Sequence, residues 1–114
     1  LPDGGAFVTA PDMASFWDAL FGNRLISSEM TASLLQPHVA TDPSGDDERH
    51  YGYGLWMAAR DGAVSLYTST GADPGIAFLS TYFVVDDVEL TILGNTESDA
   101  WSLFAVLKRS ILDD

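Results

Sequence analysis

The sequence contains no cysteine, which excludes a disulfide framework, a thiolate nucleophile and a zinc–thiolate centre but identifies no compartment. Positive charge is also scarce. Five lysine and arginine residues stand against seventeen acidic ones, for a formal charge of −12, and such a chain repels phosphate backbones and anionic lipid surfaces. No nucleic-acid partner is expected. No apolar run approaches the roughly 18 to 20 residues that cross a bilayer, so no membrane segment is expected in this chain. No basic stretch leads into an apolar one as a secretory signal would. Ready-made catalytic motifs are missing too: there is no G-x-S-x-G elbow, and the only lysine, Lys108, has Ala105 three positions before it, so no S-x-x-K exists.

What is present suffices for one small domain. The chain has 114 residues, 46% of them hydrophobic, enough to build one core, and residues 1–114 read as a single unit. The opening "LPDGG" has a loop composition and begins with Leu1, which reads as the inside of a longer protein.

After Thr9, Met13, Phe16, Trp17, Leu20 and Phe21 recur at helical spacing, with Thr9 as N-cap, Asp12 three residues on and Gly22-Asn23 as the stop. A shorter helix is expected from Ser27 or Ser28 through Leu35, burying Met30, Leu34 and Leu35. Residues 41 to 50, "TDPSGDDERH", read as a surface loop without regular structure. From Tyr51 the period becomes two: Tyr51, Tyr53, Leu55 and Met57 fall on one side and Trp56 and Ala58 on the other, with an Asp61-Gly62 hairpin turn into "AVSLY". "GIAFLSTYFVV" is apolar at both parities, as a central strand requires, and Asp86-Asp87 turns the chain into "VELTILGN". The last segment places Ala100, Leu103, Phe104, Leu107 and Ile111 on one helical stripe. The sum is an α+β fold: two N-terminal helices, an antiparallel sheet of three or four strands, and a C-terminal helix packed on the sheet.

Candidate chemistry is sparse. His38 and His50 share no metal-ligand spacing and read as solvated loop residues. The cluster Asp42, Asp46, Asp47, Glu48 fails an EF-hand register, which would put Asp47 at the glycine position and Tyr53 at the bidentate glutamate. Neither a metal nor a cofactor is expected. Tyr51, Tyr53 and Trp56 fit cross-strand core packing or, alternatively, the lining of a ligand cleft. In "STGADPG", residues 69–75, the glycines and proline have ordinary turn chemistry, and the same residues could equally belong to a site.

Four pieces in order resemble the C-terminal part of the serine β-lactamase and penicillin-binding-protein-like hydrolases, especially the class C and esterase branch. "GGAFVTAPDMASFWDALFGNRLIS" is similar to their glycine-led loop and helix. "YGYGLW" is similar to their Tyr-Gly-x-Gly strand, "STGADPG" to their Lys/His-Thr/Ser-Gly motif, and "LTILGNTES" to their strand ending in asparagine. The resemblance implies a serine hydrolase that cleaves an amide, β-lactam or ester through an acyl-enzyme. Its Ser-x-x-Lys and tyrosine motifs would lie upstream, so that this chain, alone inactive, would be the C-terminal segment of a larger domain. Ser69, Thr70 and Gly71 would form the third motif. Gly71 gives room for substrate backbone, Thr70 a hydroxyl for a substrate carboxylate or carbonyl, and the backbone N–H of Ala72 one oxyanion donor. Ser69 stands where relatives carry Lys or His, which weakens carboxylate recognition and favours neutral ester or amide substrates. A fragment of such a fold should dimerise or associate with its N-terminal part. The compartment stays open, export of the parent included.

Overall fold

A computed structural model describes residue 4 and residues 6–113. Helix α1 spans Ala10–Phe21 and starts with a capping box: the Thr9 side chain accepts from the Asp12 N–H, and the Asp12 carboxylate accepts from the Thr9 N–H at 2.8 Å. That bond holds the Asp12 carboxyl below its usual range. Asn23, at φ 56°, turns the chain out of the helix. Helix α2, Ser28–Leu34, is capped by Ser27. It buries Thr31 rather than the expected Met30, which is 60% exposed. The C-terminal helix α3 covers Asp99–Leu112.

Between the helices run six strands instead of the expected three or four: β1 (Val39–Ser44), β2 (Asp47–Tyr51), β3 (Trp56–Arg60), β4 (Ala63–Asp73), β5 (Ile76–Phe83) and β6 (Val88–Gly94). They form one antiparallel meander in sequence order. The two additional strands come from residues 41 to 50, expected as a loop. This segment is a hairpin whose β2 pairs with β3 from Glu48↔Ala59 to Tyr51↔Trp56. Its polar composition hid the strands because little of β2 is covered by other elements, so apolar alternation is not required there. The continuous strand expected from Tyr51 is broken: Gly52 donates its N–H to the Leu55 carbonyl at 2.8 Å and the chain reverses between β2 and β3. A Cβ on Gly52 would lie 3.1 Å from the carbonyl oxygens of Leu34 and Gln36, so the close approach of the α2 terminus requires glycine. The β3–β4 turn has positive φ at both Asp61 and Gly62, the twist a two-residue hairpin prefers.

The sheet is covered on both faces, which explains the two-sided hydrophobicity of β5. On one face α1 lays Trp17 and Leu20 against Leu55, Met57 and Tyr67, with Phe21 and Tyr82 packed alongside. A β-bulge between Ala58 and Ala59 shifts the register so that Val64 joins this face. On the other face α3 lies over β5 and β6, with Phe104 against Phe83 and Leu66, and Ala100 against Ala77 and Ile92. Leu103, expected on the buried stripe, is 48% exposed.

The Tyr82 hydroxyl donates to the Asp87 carboxylate. That bond, with burial and the negative charges of Asp87 and Asp18 added, pushes the phenol up to about 12, against about 10 for a free tyrosine. Because the folded value is the higher one, the contribution to stability is complete below pH about 10 and is lost as pH rises through the folded value. In an ultraviolet titration of the four tyrosines, Tyr82 should ionise near 12. Asp87→Asn, which tolerates the φ of 52° at this turn, should bring it down toward about 10; an unchanged titration would refute the assignment.

Candidate functional site

The segment Ser69-Thr70-Gly71 is not a bend. It continues β4, paired with β5 residue by residue from Ser69↔Ser80 to Asp73↔Ile76, and the turn falls later, at Pro74-Gly75, where Gly75 has φ 78°. Gly71 is therefore a glycine inside a strand, without positive φ. A Cβ there would meet only Phe78 Cδ1, at 4.0 Å, ordinary contact. Nothing in the described chain requires the missing side chain, although glycine within a strand costs about 0.5–1 kcal/mol relative to alanine.

The other edge of this segment is open. Pairing of β3 with β4 stops at Trp56↔Thr68, and beyond it no described strand lies beside β4. The direction of the backbone groups follows from two bonds. Since Gly52 and Leu55 form a hydrogen-bonded pair, alternation along the ladder turns Met57 toward β2 and Trp56 and Ala58 toward β4, so that their partners Thr68 and Leu66 turn toward β3. From the opposite side, the Val84 N–H donates to the Ser65 carbonyl at 2.9 Å, which turns Ser65, Tyr67, Ser69 and Gly71 toward β5. Both lines agree that Thr70 and Ala72 direct N–H and C=O outward, into the space β3 has left.

A cleft of about 820 Å³ lies along this edge, and Ser69, Gly71, Ala72 and Asp73 line it together with Met13, Phe16, Tyr53, Leu55, Phe78 and Leu93. Its walls are largely apolar. Asp12, one of its two carboxylates, is engaged in the α1 cap. Tyr53 is held at the rim by stacking on His38, centroids 3.9 Å apart, and His38 Nε2 donates to the Ser33 carbonyl at 2.6 Å. Three of the four expected site residues thus share one cleft. Thr70 does not: its neighbours in parity, Thr68 and Leu66, face α3, and its side chain lines a second, smaller cavity on that side. Strand alternation separates adjacent side chains to opposite faces, and the two cavities flank the same open edge.

Of the aromatics offered as core packing, none is in the core. Tyr51 and Trp56 contact each other edge to face at 4.7 Å and remain 36% and 44% exposed, and Tyr53 is 62% exposed. Trp56 lines the second cavity with Arg49 and Trp101, not singled out in the sequence, and with Lys108, considered there only as the lysine of a missing S-x-x-K motif. For Trp101 and Lys108 the signal was their spacing of three and four from Phe104, which puts them on the helical side next to that core residue; Arg49, on β2, had none. His50 sits 3.4 Å from Glu48, and neither histidine is among the residues lining these two cavities.

No protein-family model and no curated protein sequence matches the chain. Among solved structures it is similar to the penicillin binding protein from Bacillus halodurans, with a TM-score of 0.78 and 37% identity over 89% of this chain. The match spans 30% of that protein's length. The chain has a penicillin-binding-protein or β-lactamase-like fold.

Proposed function

We propose that the chain is the C-terminal segment of a serine hydrolase of the class C β-lactamase or esterase type, and that β4 supplies one side of its active site. The observation that carries this reading is the open edge at Ser69–Ala72. A strand glycine that the chain's own packing does not need, beside an outward N–H at Ala72, is what an acyl group approaching edge-on would require. A serine hydroxyl from outside this chain would attack the carbonyl carbon and release the alcohol or amine. The Ala72 N–H would donate to the oxygen as it gains charge. A single such donor contributes a factor of about 10²–10³ in kcat. The apolar cleft, and Ser69 without a cation, support a neutral ester or amide. The same Ser69 favours a second reading, a binding or assembly module of the same fold.

A fluorophosphonate probe separates the two. Intact mass should show no adduct on this chain alone and one adduct, at an upstream serine, on the protein extended toward its natural start. Labelling of this chain by itself would refute the composite site, and extension without a labelled serine would favour the binding module.

Gly71 gives a second test. Gly71→Ala should leave the melting temperature unchanged or raise stability by about 0.4–1 kcal/mol through the unfolded state, while lowering kcat/KM of the extended protein at least tenfold. Gly75→Ala, at φ 78°, should instead destabilise by about 1–2 kcal/mol. A Gly71→Ala enzyme of full activity would contradict the proposed approach of substrate.

The outer edge of β6 has no described partner strand, and Leu93 on that strand is 48% exposed. We extend the proposal to association through this margin, with a second copy or with the N-terminal part of the parent. Sedimentation equilibrium of the chain should show a concentration-dependent dimer, and addition of the N-terminal part should convert it to a heterocomplex; a monomer at all concentrations that ignores the N-terminal part would refute it.

A further inference from the structure

The second cavity concentrates positive charge in an otherwise acidic chain. Its volume is about 340 Å³, within the range of roughly 300–1,000 Å³ that holds small ligands. It lies between α3, which crosses β5 and β6, and the same face of β2 to β4, so that Trp101, Phe104 and Lys108 of the helix line it together with Arg49, Trp56 and Thr70 of the strands. Two of the chain's five basic residues, Arg49 on β2 and Lys108 on α3, line it. Its one carboxylate, Asp47, is shared: one oxygen is held by Arg60 at 2.7 Å, and Lys108 Nζ pairs more loosely with the other at 3.8 Å. Arg49 has no carboxylate within ion-pair distance among the described residues. Counting the charged residues that line it, Arg49 and Lys108 against Asp47, the site carries a formal charge of +1 within a chain of −12.

The apolar lining narrows the ligand. Trp56 and Trp101 flank the cavity and are each 44% exposed. A wholly hydrated anion such as phosphate would leave both indoles in water and gain only solvent-exposed ion pairs, which contribute little. An aromatic ring between the indoles would bury apolar area and stack, while its carboxylate meets the guanidinium fork.

We propose that this cavity binds a small aromatic carboxylate: Arg49 and Lys108 take the carboxylate, Thr70 donates its hydroxyl to it, and Trp56 and Trp101 sandwich the ring. The site does not depend on the proposed hydrolysis, since it requires binding without turnover. It lies across the β4 edge from the apolar cleft, so the two sides of that edge select opposite ligand chemistry.

The test is a titration of the 114-residue protein with 2-naphthoate, followed through the three tryptophan indole N–H signals in a nitrogen-resolved NMR spectrum. The Trp56 and Trp101 signals should shift saturably. That of Trp17, buried in the core on the other face, should stay still and reports that each variant is folded. The neutral 2-naphthamide should bind at least tenfold more weakly, as should naphthoate to the Arg49→Gln/Lys108→Gln double variant, and Thr70→Val should weaken binding a few-fold. Absence of a saturable shift at Trp56 and Trp101, equal binding of acid and amide, or undiminished binding to the folded double variant would each overturn the proposal.

Discussion

Much of this structure hangs on one buried hydrogen bond, from the Trp17 indole N–H to the Ser80 hydroxyl at 2.8 Å. Both residues are fully buried, and Ser80 is joined in turn to the Thr91 hydroxyl at 2.8 Å. An indole N–H in a core must find an acceptor or forfeit its solvation, so the rotation of α1 on the sheet is set by where a hydroxyl is available. Ser80 offers one at the centre of β5. Once Trp17 is fixed, Met13 lies one turn earlier and Phe16 beside it, and both form the wall of the cleft. Ser80 is also the cross-strand partner of Ser69. The bond that seats the helix therefore sits opposite the first residue of the candidate site, and core and cleft share one ruler.

What could be read from the sequence was whatever the local pattern determines. The capping box at Thr9 and Asp12, the Asp61-Gly62 hairpin, the stripe of α3 apart from Leu103 and the two-sided burial of β5 all rest on residues within a few positions of one another, and each is found in the structure. What escaped was set by distant neighbours. Residues 41 to 50 are strands only because β3 offers its edge, and their own polarity argued for a loop. The break at Gly52 depends on the carbonyls of Leu34 and Gln36, which no spacing rule connects to it. Met30 looked buried by its position on a helix, yet α2 turns Thr31 inward instead.

The candidate site shows the same division. Composition places Ser69 to Ala72 between two β-like runs and permits either a turn or a site. Only the register distinguishes them, because the turn is displaced to Pro74-Gly75 and the segment remains in β4. The sequence also could not foretell that Thr70 would face α3 while Ser69 and Gly71 face the cleft, since that parity is inherited from the pairing of β4 with both neighbours. A motif written as consecutive letters becomes, on a strand, two faces and an edge.

That geometry has a consequence for recognition. A ligand lying along the β4 edge meets the outward N–H and C=O groups of Thr70 and Ala72, which are indifferent to its side groups. Discrimination must come from what flanks the edge. On the α1 side the flanks are apolar, and no cation stands at position 69 to hold a carboxylate there. On the α3 side Arg49 and Lys108 line the same cavity as Thr70. A cation absent from the strand itself is thus available across it, carried by β2 and α3, two elements whose sequence positions lie far from the motif. The charge of this edge is a property of how the sheet and the last helix are packed, and a comparison of motif letters alone would miss it.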